Sequence, residues 1–347
     1  MTPSNADISE LLARAGESAE GHRRKAYQRA AAYALTWAEE ASDTLEREGT
    51  LTALPGIGDS LSRRIAGWLQ EAPGEFELPP ARSGFVTYRR AREIAGEHPE
   101  WATALRSDLQ MHTHYSDGVA SIKEMAVAAA TRGYEFIAVT DHSQGLAVAG
   151  GMDETRLKAQ AVEVATVNEE LRSEGADFEV LHGIEMNLDE SGVGDMDPHS
   201  IADLDLVLGS FHSRLRGAED QTGRYLGALA NPHVQVIGHP TCRRYNRRPG
   251  LVADWSKIFT AAEASGKALE INSHPHRQDL SPELLAEARS FDLTFSIGTD
   301  AHSVEELQFV EMSLAAAQGA GIERDRIINY WPLERLKEWI AAQRETA

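Results

Sequence analysis

Seven short apolar runs beyond residue 107 each carry His, Asp or Glu at their C-terminal end, and no other feature of this 347-residue chain constrains its fold as strongly. The runs are SDLQMHTH, FIAVTDHS, FEVLHGIEM, LDLVLGSFHS, VQVIGHPT, ALEINSH and LTFSIGTDAHS. Their length and apolar character predict strands. Between them, IKEMAVAAATRG, ETRLKAQAVEVATVNEELRSEG, WSKIFTAAEASG and SPELLAEARS read as helices, and LERLKEWIAAQ reads as a terminal amphipathic helix. Alternating β and α units imply a parallel sheet or barrel. Such folds place their sites at the C-terminal ends of the strands, where these polar residues fall.

The preceding hundred residues have a different texture. GHRRKAYQRAAAYALTWAEEA and LTALPGIGDSLSRRIAGWL are helical in pattern, whereas the prolines and glycines of EAPGEFELPPARSGF mark a linker, followed by a short helical segment near 87–104. The expected organisation is a helical domain over 1–78, a linker over 79–106, a barrel over 107–321 and a C-terminal helix over 322–347.

Composition narrows the functional classes. The formal charge of −20 argues against a protein that coats nucleic acid, so any such contact must be local. A lone cysteine, Cys242, excludes an internal disulfide, and with the polar start MTPSNADISE it points to a reducing, cytoplasmic setting. No apolar run approaches the ~18 residues of a membrane helix, so no membrane partner is expected.

The candidate ligands occupy two i, i+2 pairs, His112 with His114 and Asp300 with His302, which in extended strands point to one side. Asp117, Asp141, His142, Glu185, His212 and His239 complete the set. One buried His or Asp is ordinarily a hydrogen-bonding group or a cap. Burying so many ionisable groups together without a cation would be costly. The mix of imidazole and carboxylate suits two or three divalent ions of zinc, manganese or iron. Thr140–Asp141 reads as a cap with His142 coordinating, although Asp141 and Asp197 are also candidates for proton transfer. His182, three before Glu185, faces the other way and reads as structural. His199, His233 and His276 carry no assignment, and His274 lies where it would line the substrate entrance. Arg243, Arg244, Arg247 and Arg248 follow the GHP segment and are expected to contact substrate phosphates.

DLQMHTHYSDG, AVTDHS, HGIEMN, GSFHS, GHPT, LEINSHPHRQDLS and GTDAHS resemble the PHP (polymerase and histidinol phosphatase) superfamily, most closely the PHP domain of bacterial family X DNA polymerases. The resemblance implies an α/β fold, a distorted seven-stranded (β/α) TIM-like barrel with a trinuclear metal centre. Carried over, one metal would sit on His112, His114, Glu185 and Asp300, a second on Glu185, His212 and His239, and a third on Asp117, His142 and His302. Glu185, Asp300, His212 and Asp141 are the expected catalytic groups.

The N-terminal segment resembles the all-α lyase domain of the same polymerases, with LPGIG as its helix-hairpin-helix turn. Leu54, Gly56, Gly58, Arg63 and Arg64 are the implied DNA contacts. No counterpart of the nucleotidyltransferase core lies between the two parts, so polymerase activity is not expected. Arg64 stands where the family often has a Schiff-base lysine, and a guanidinium cannot serve as an amine nucleophile. The resemblance implies a metal-dependent phosphoesterase acting at DNA ends or repair intermediates, as an exonuclease, 3′-phosphatase or abasic-site endonuclease. A small-molecule phosphatase of histidinol-phosphate or nucleotide type, and a non-catalytic DNA-repair scaffold, are the alternatives.

Overall fold

Ser4 begins the first helix: its hydroxyl accepts from the Asp7 N–H, and the Asp7 carboxylate accepts in return from the Ser4 N–H. The computed structural model describes residues 2–71, 74 and 76–345. Positions 72, 73 and 75, at the end of the expected helical domain, together with 1, 346 and 347, lie outside the described residues. Helices α1 (Asn5–Glu17) and α2 (Gly21–Ala34) pack Ile8, Leu12 and Ala13 against Ala30, Ala31 and Ala34, and Trp37, Leu51 and Ile65 complete this small core. Next come α3 (Ala41–Glu48) and α4 (Asp59–Trp68), joined by a turn in which Gly56 has φ 79°. The Tyr33 ring packs so closely on Gly56 that a Cβ there would lie 2.2 Å from it.

The segment expected to be a linker is built into the structure. Arg82 is buried, and its guanidinium donates to Glu10, Glu17 and Asn246. Helix α5 (Tyr88–Gly96), which starts at the Thr87 cap, packs against the barrel through Tyr88 and Phe309, and α6 (Glu100–Ala104) follows. Pro79 and Pro80 stand in a stretch without helix or strand that runs to residue 87, and Arg82 within it is nonetheless buried.

Seven parallel strands form one sheet in sequential order: β1 (Ser107–Asp108), β2 (Phe136–Val139), β3 (Glu179–Leu188), β4 (Leu206–Phe211), β5 (Val236–Ile237), β6 (Ala268–Asn272) and β7 (Thr294–Gly298). The chain after β1 closes the barrel against β7: the Asp300 N–H donates to Gln110 at 2.9 Å and the His112 N–H to Ala301 at 2.8 Å. Around the sheet run α7 (Ile122–Thr131), α8 (Glu154–Ser173), α9 (Thr222–Ala230), α10 (Trp255–Ser265), α11 (Pro282–Ala288) and α12 (Val310–Ala320). Ser121, Asp153, Asp254 and Ser281 cap α7, α8, α10 and α11 with side-chain oxygens. Neither α9 nor α12 has a side-chain cap, and neither was anticipated.

Helix α13 (Leu333–Glu345) is not a detached appendage. Its Leu336 and Ile340, with Trp331, enter a cluster with Leu109, Phe136, Leu181, Leu208, Val236 and Ala268 from six strand regions, filling the barrel at the end opposite the site. Each such aliphatic side chain contributes roughly 1.5–3 kcal/mol on burial.

Candidate metal centre

The site is built where β-structure gives out. β1 ends at Asp108, and the isolated bridge of Met111 to Ala301 is its last sheet pairing before a turn over 114–117. Alternation therefore orients Gln110 and His112, both fully buried, toward the barrel mouth. It does not reach His114. That side chain is 48% exposed, with its Nε2 3.8 Å from Glu163, so the expected ligand pair His112–His114 is replaced in space by Gln110–His112.

Glu185, buried on β3, is the hub. Its Oε1 lies 2.7 Å from His239 Nε2 and 3.3 Å from His212 Nε2, while its Oε2 lies 3.0 Å from His142 Nδ1 and 3.4 Å from His112 Nε2. Burial works to raise its pKa, but His142 and His239 outweigh it and hold the carboxyl well below its ordinary range. The His112 ring is stacked between those of His142 and His302, at centroid distances of 4.4 and 4.5 Å. Asp117 reaches in from the loop, 3.3 Å from His302 Nε2. Burial would raise its pKa, but His302, His112 and His142 bring it down to about 2. Two of these groups, His239 with φ 28° and Asp300 with φ 54°, sit in the left-handed region, a conformation costly for non-glycine residues and tolerated where the surroundings enforce it.

Three sets of donor atoms lie within 4.8 Å of one another: His112, Asp117, His142 and His302; His142, Glu185 and His212; and His112, Glu185 and Asp300. These sets accommodate the expected ligands except His114, which stands apart, and His239, which approaches Glu185 without joining a set. Whether the residues fit cations can be tested on the imidazoles. His112 Nδ1, His142 Nδ1 and His212 Nε2, each within 4.0 Å of a carboxylate oxygen, are buried and have no hydrogen-bond partner among the described residues. His142 Nδ1 and His212 Nε2 come close to Glu185, but not in hydrogen-bonding alignment. Nitrogens converging on carboxylates in this way suit cation coordination better than a hydrogen-bond network.

Four residues were passed over in the sequence. Arg277, in the loop after β6, lies 2.7 Å from Asp300 Oδ2 through its Nε, leaving Oδ1 to face His112 Nε2 at 3.1 Å. Glu270 and Asn272 are an i, i+2 pair on β6, and both are buried below the cluster. Burial, with Asp300 and Glu185 nearby, pushes the Glu270 carboxyl well above its usual range. The Gln110 side-chain amide lies 3.0 Å from Asn272 Nδ2 and against Glu270 in the same layer. Gly298 leaves room for this layer, since a Cβ there would lie 2.1 Å from Glu270. The alternation in ALEINSH already contained Glu270 and Asn272, but attention to the end of the run obscured it. Arg277 lies outside any strand pattern and gave no such signal.

Other expectations are corrected. Asp141 is not free for proton transfer: it accepts from the Thr113 N–H and hydroxyl, the Ser116 hydroxyl and the Gln160 amide, which fixes the loop below His142. Arg243 is buried, stacks on Phe85 at 3.8 Å and donates to the Ser83 carbonyl, so it ties the linker down and does not face substrate. Arg248 donates through Nε to the Cys242 carbonyl but also borders the groove beside His212. Arg244 and Arg247 line a separate cleft toward α2. His274 sits near the rim, 6.5 Å from the His302 ring centroid, and burial keeps it neutral. In the helical part, Arg64 lies over Tyr27 and Trp68 and donates to the Tyr27 hydroxyl at 2.7 Å, whereas Arg63 is exposed. Leu54 is half-buried beside the turn, and Gly58 caps α4 without a side-chain acceptor.

Residues 108–274 match the PHP domain, and the chain carries that domain. It is 37% identical over 237 residues to the DNA polymerase/3′-5′ exonuclease PolX of Bacillus subtilis (strain 168), an alignment covering 68% of this chain. The chain spans only 41% of that polymerase's length. A probable phosphatase of Thermoanaerobacter sp. (strain X514) is 28% identical over 247 residues, with 67% of this chain and 94% of that protein covered. Among solved structures, histidinol phosphate phosphatase from Lactococcus lactis, complexed with zinc, L-histidinol and phosphate, aligns with TM-score 0.46 and 18% identity over 63% of this chain and 95% of that one.

Proposed function

We propose that this protein is a divalent-metal phosphoesterase that removes phosphoryl or nucleotidyl groups from the ends of DNA strands. One observation carries the hydrolytic part: Glu185 presents one oxygen to His239 and His212 and the other to His142 and His112. A carboxylate with both oxygens engaged by separate imidazole pairs can bridge two cations. His112, Glu185 and Asp300 would hold one, Glu185, His212 and His239 or His142 a second, and Asp117, His142 and His302 a third. When bound, such ions lower the pKa of water and neutralise charge on phosphoryl oxygens. The chain's own residues set the geometry. Arg277 anchors one oxygen of Asp300 so that the other faces the cluster, and neutral His274 at the rim can exchange a hydrogen bond with an entering ester.

The polynucleotide part is supported by the polymerase/exonuclease relative and by the helical segment that abuts the barrel, where His276 Nε2 lies 3.2 Å from the Ala32 carbonyl. A small-molecule phosphatase is the second reading, favoured by the probable phosphatases whose length the barrel nearly spans. Protein loaded with manganese or zinc is to be tested on an aryl phosphate, 3′-recessed DNA and abasic-site DNA, with Glu185→Gln as control. Turnover of the DNA ends that disappears in the variant supports the proposal. Efficient aryl phosphate hydrolysis with untouched DNA selects the second reading, and no hydrolysis of any substrate rejects both.

A further inference from the structure

The basic residues that do not serve the metal centre collect in one place. A cleft of about 810 Å³ between α2 and the CRRYNRR loop is lined by Lys25, Arg29, Arg216, Arg244 and Arg247, together with His276, and no carboxylate lines it. In a chain of net charge −20 that concentration is unexpected. Several exposed arginines elsewhere are paired, Arg47 with Glu39, Arg106 with Glu135 and Arg214 with Glu190, while others without an ion pair among the described residues, such as Arg63 and Arg172, line none of the cleft. None of the five cleft cations lies in an ion pair among the described residues, so their mutual repulsion is left for a ligand to relieve.

The cleft adjoins the site. The His276 N–H donates to His274 Nδ1 at 3.1 Å, and His274 in turn stands beside His302, while Arg244 lies within electrostatic reach of Arg277 and Asp300. A substrate phosphate at the cluster would therefore have its neighbours directed along the cleft. Resting on the phosphoesterase reading, we propose that this cleft binds further phosphates of the same substrate, those of a single-stranded polynucleotide running from the metal centre across α2. The α2 wall, Lys25 and Arg29, thereby becomes part of the substrate site, although the barrel alone carries the chemistry. Two sources share this chemistry, a strand and a free polyphosphate.

The test is binding of a fluorescein-labelled single-stranded 12-mer to the full chain in EDTA, followed by anisotropy, for wild type and Lys25→Glu/Arg29→Glu. Lys158→Glu/Arg172→Glu on α8 makes the same change of net charge away from the cleft. The α2 variant is expected to bind at least roughly tenfold more weakly. Its salt dependence should be shallower by about 1.4 in slope, two phosphate contacts at about 0.7 each. The α8 variant should stay within about twofold of wild type, since screening at ordinary salt confines a distant charge's influence. Competition by a nucleoside triphosphate at equal affinity would identify a polyphosphate as occupant, and weak competition a strand. Equal losses in both variants, or no oligonucleotide binding by wild type, would overturn the proposal. Because binding is read without metal, α2-dependent binding by a protein that hydrolyses nothing would defeat the phosphoesterase reading alone, and active protein with α2-independent binding would defeat the cleft alone.

Discussion

Replacing Arg277 with methionine probes the charge balance of the centre. Asp300 is buried, and Arg277, 2.7 Å away, is the cation that offsets burial and keeps this carboxyl ionised, with His112 and His302 assisting. Methionine preserves much of the side-chain volume but leaves Asp300 beside Glu185 with no guanidinium partner. Breaking a buried pair by removing one partner costs about 3–5 kcal/mol, because the survivor keeps its desolvation penalty. For a barrel of this size each kcal/mol moves the midpoint by about 2–4 °C, so thermal unfolding in EDTA should begin roughly 6–20 °C earlier than in wild type. A divalent cation at the cluster supplies positive charge to the same carboxylate, so saturating zinc or manganese should narrow the gap by at least half. Scanning calorimetry of both proteins, with EDTA and with metal, reads the four midpoints. A variant within about 2 °C of wild type in EDTA would refute the premise that Asp300 is ionised and dependent on Arg277.

Metal content should follow the hub: wild type purified with manganese or zinc should carry two or three ions by mass spectrometry, and Glu185→Gln at least one fewer. Burial lowers the pKa of His182 and of His276 to about 4. Between pH 6.5 and 4 the unfolded chain thus binds more protons, and stability falls as pH falls through that window, by up to about 3 kcal/mol per histidine. Urea titrations at pH 7 and pH 5 should show this, and His182→Gln should flatten part of the slope. Arg82→Met should cost about 1–3 kcal/mol by taking the buried guanidinium from Glu10, which keeps only the partly exposed Arg14 at 2.6 Å, and limited proteolysis should then release α1 first. Leu336→Ala should cost about 2–5 kcal/mol in chemical unfolding by emptying the barrel floor.

The barrel was legible because apolar runs of strand length alternate with helical segments, and each run ends in ligand-type residues. Ser121, Asp153, Asp254 and Ser281 cap their helices, whereas α9 begins without a capping side chain and carries Gly223 and Gly227, the latter required by the close approach of the Ser191 carbonyl. The ligands at the strand ends were readable for the same reason as the strands. His114 was misread because alternation holds only while the backbone stays extended, and here it gives way to a turn at residue 114. Arg277 and Arg243 show the limit more sharply. Both lie in loops whose path is set by tertiary contacts, so nothing in the local sequence distinguishes the arginine that pairs with Asp300 from the one that stacks on Phe85.

The helix that stoppers the barrel has a consequence for biogenesis. Leu336 and Ile340 meet side chains as distant in sequence as Leu109 and Phe136, so the nascent barrel stays open-bottomed until α13 has left the ribosome. Until then its strand interiors face water, the kind of exposed apolar surface that favours aggregation of a partly folded chain. A fusion partner placed directly after α13 prolongs that exposure if it hinders docking of the helix, whereas one attached before α1 leaves the barrel floor undisturbed.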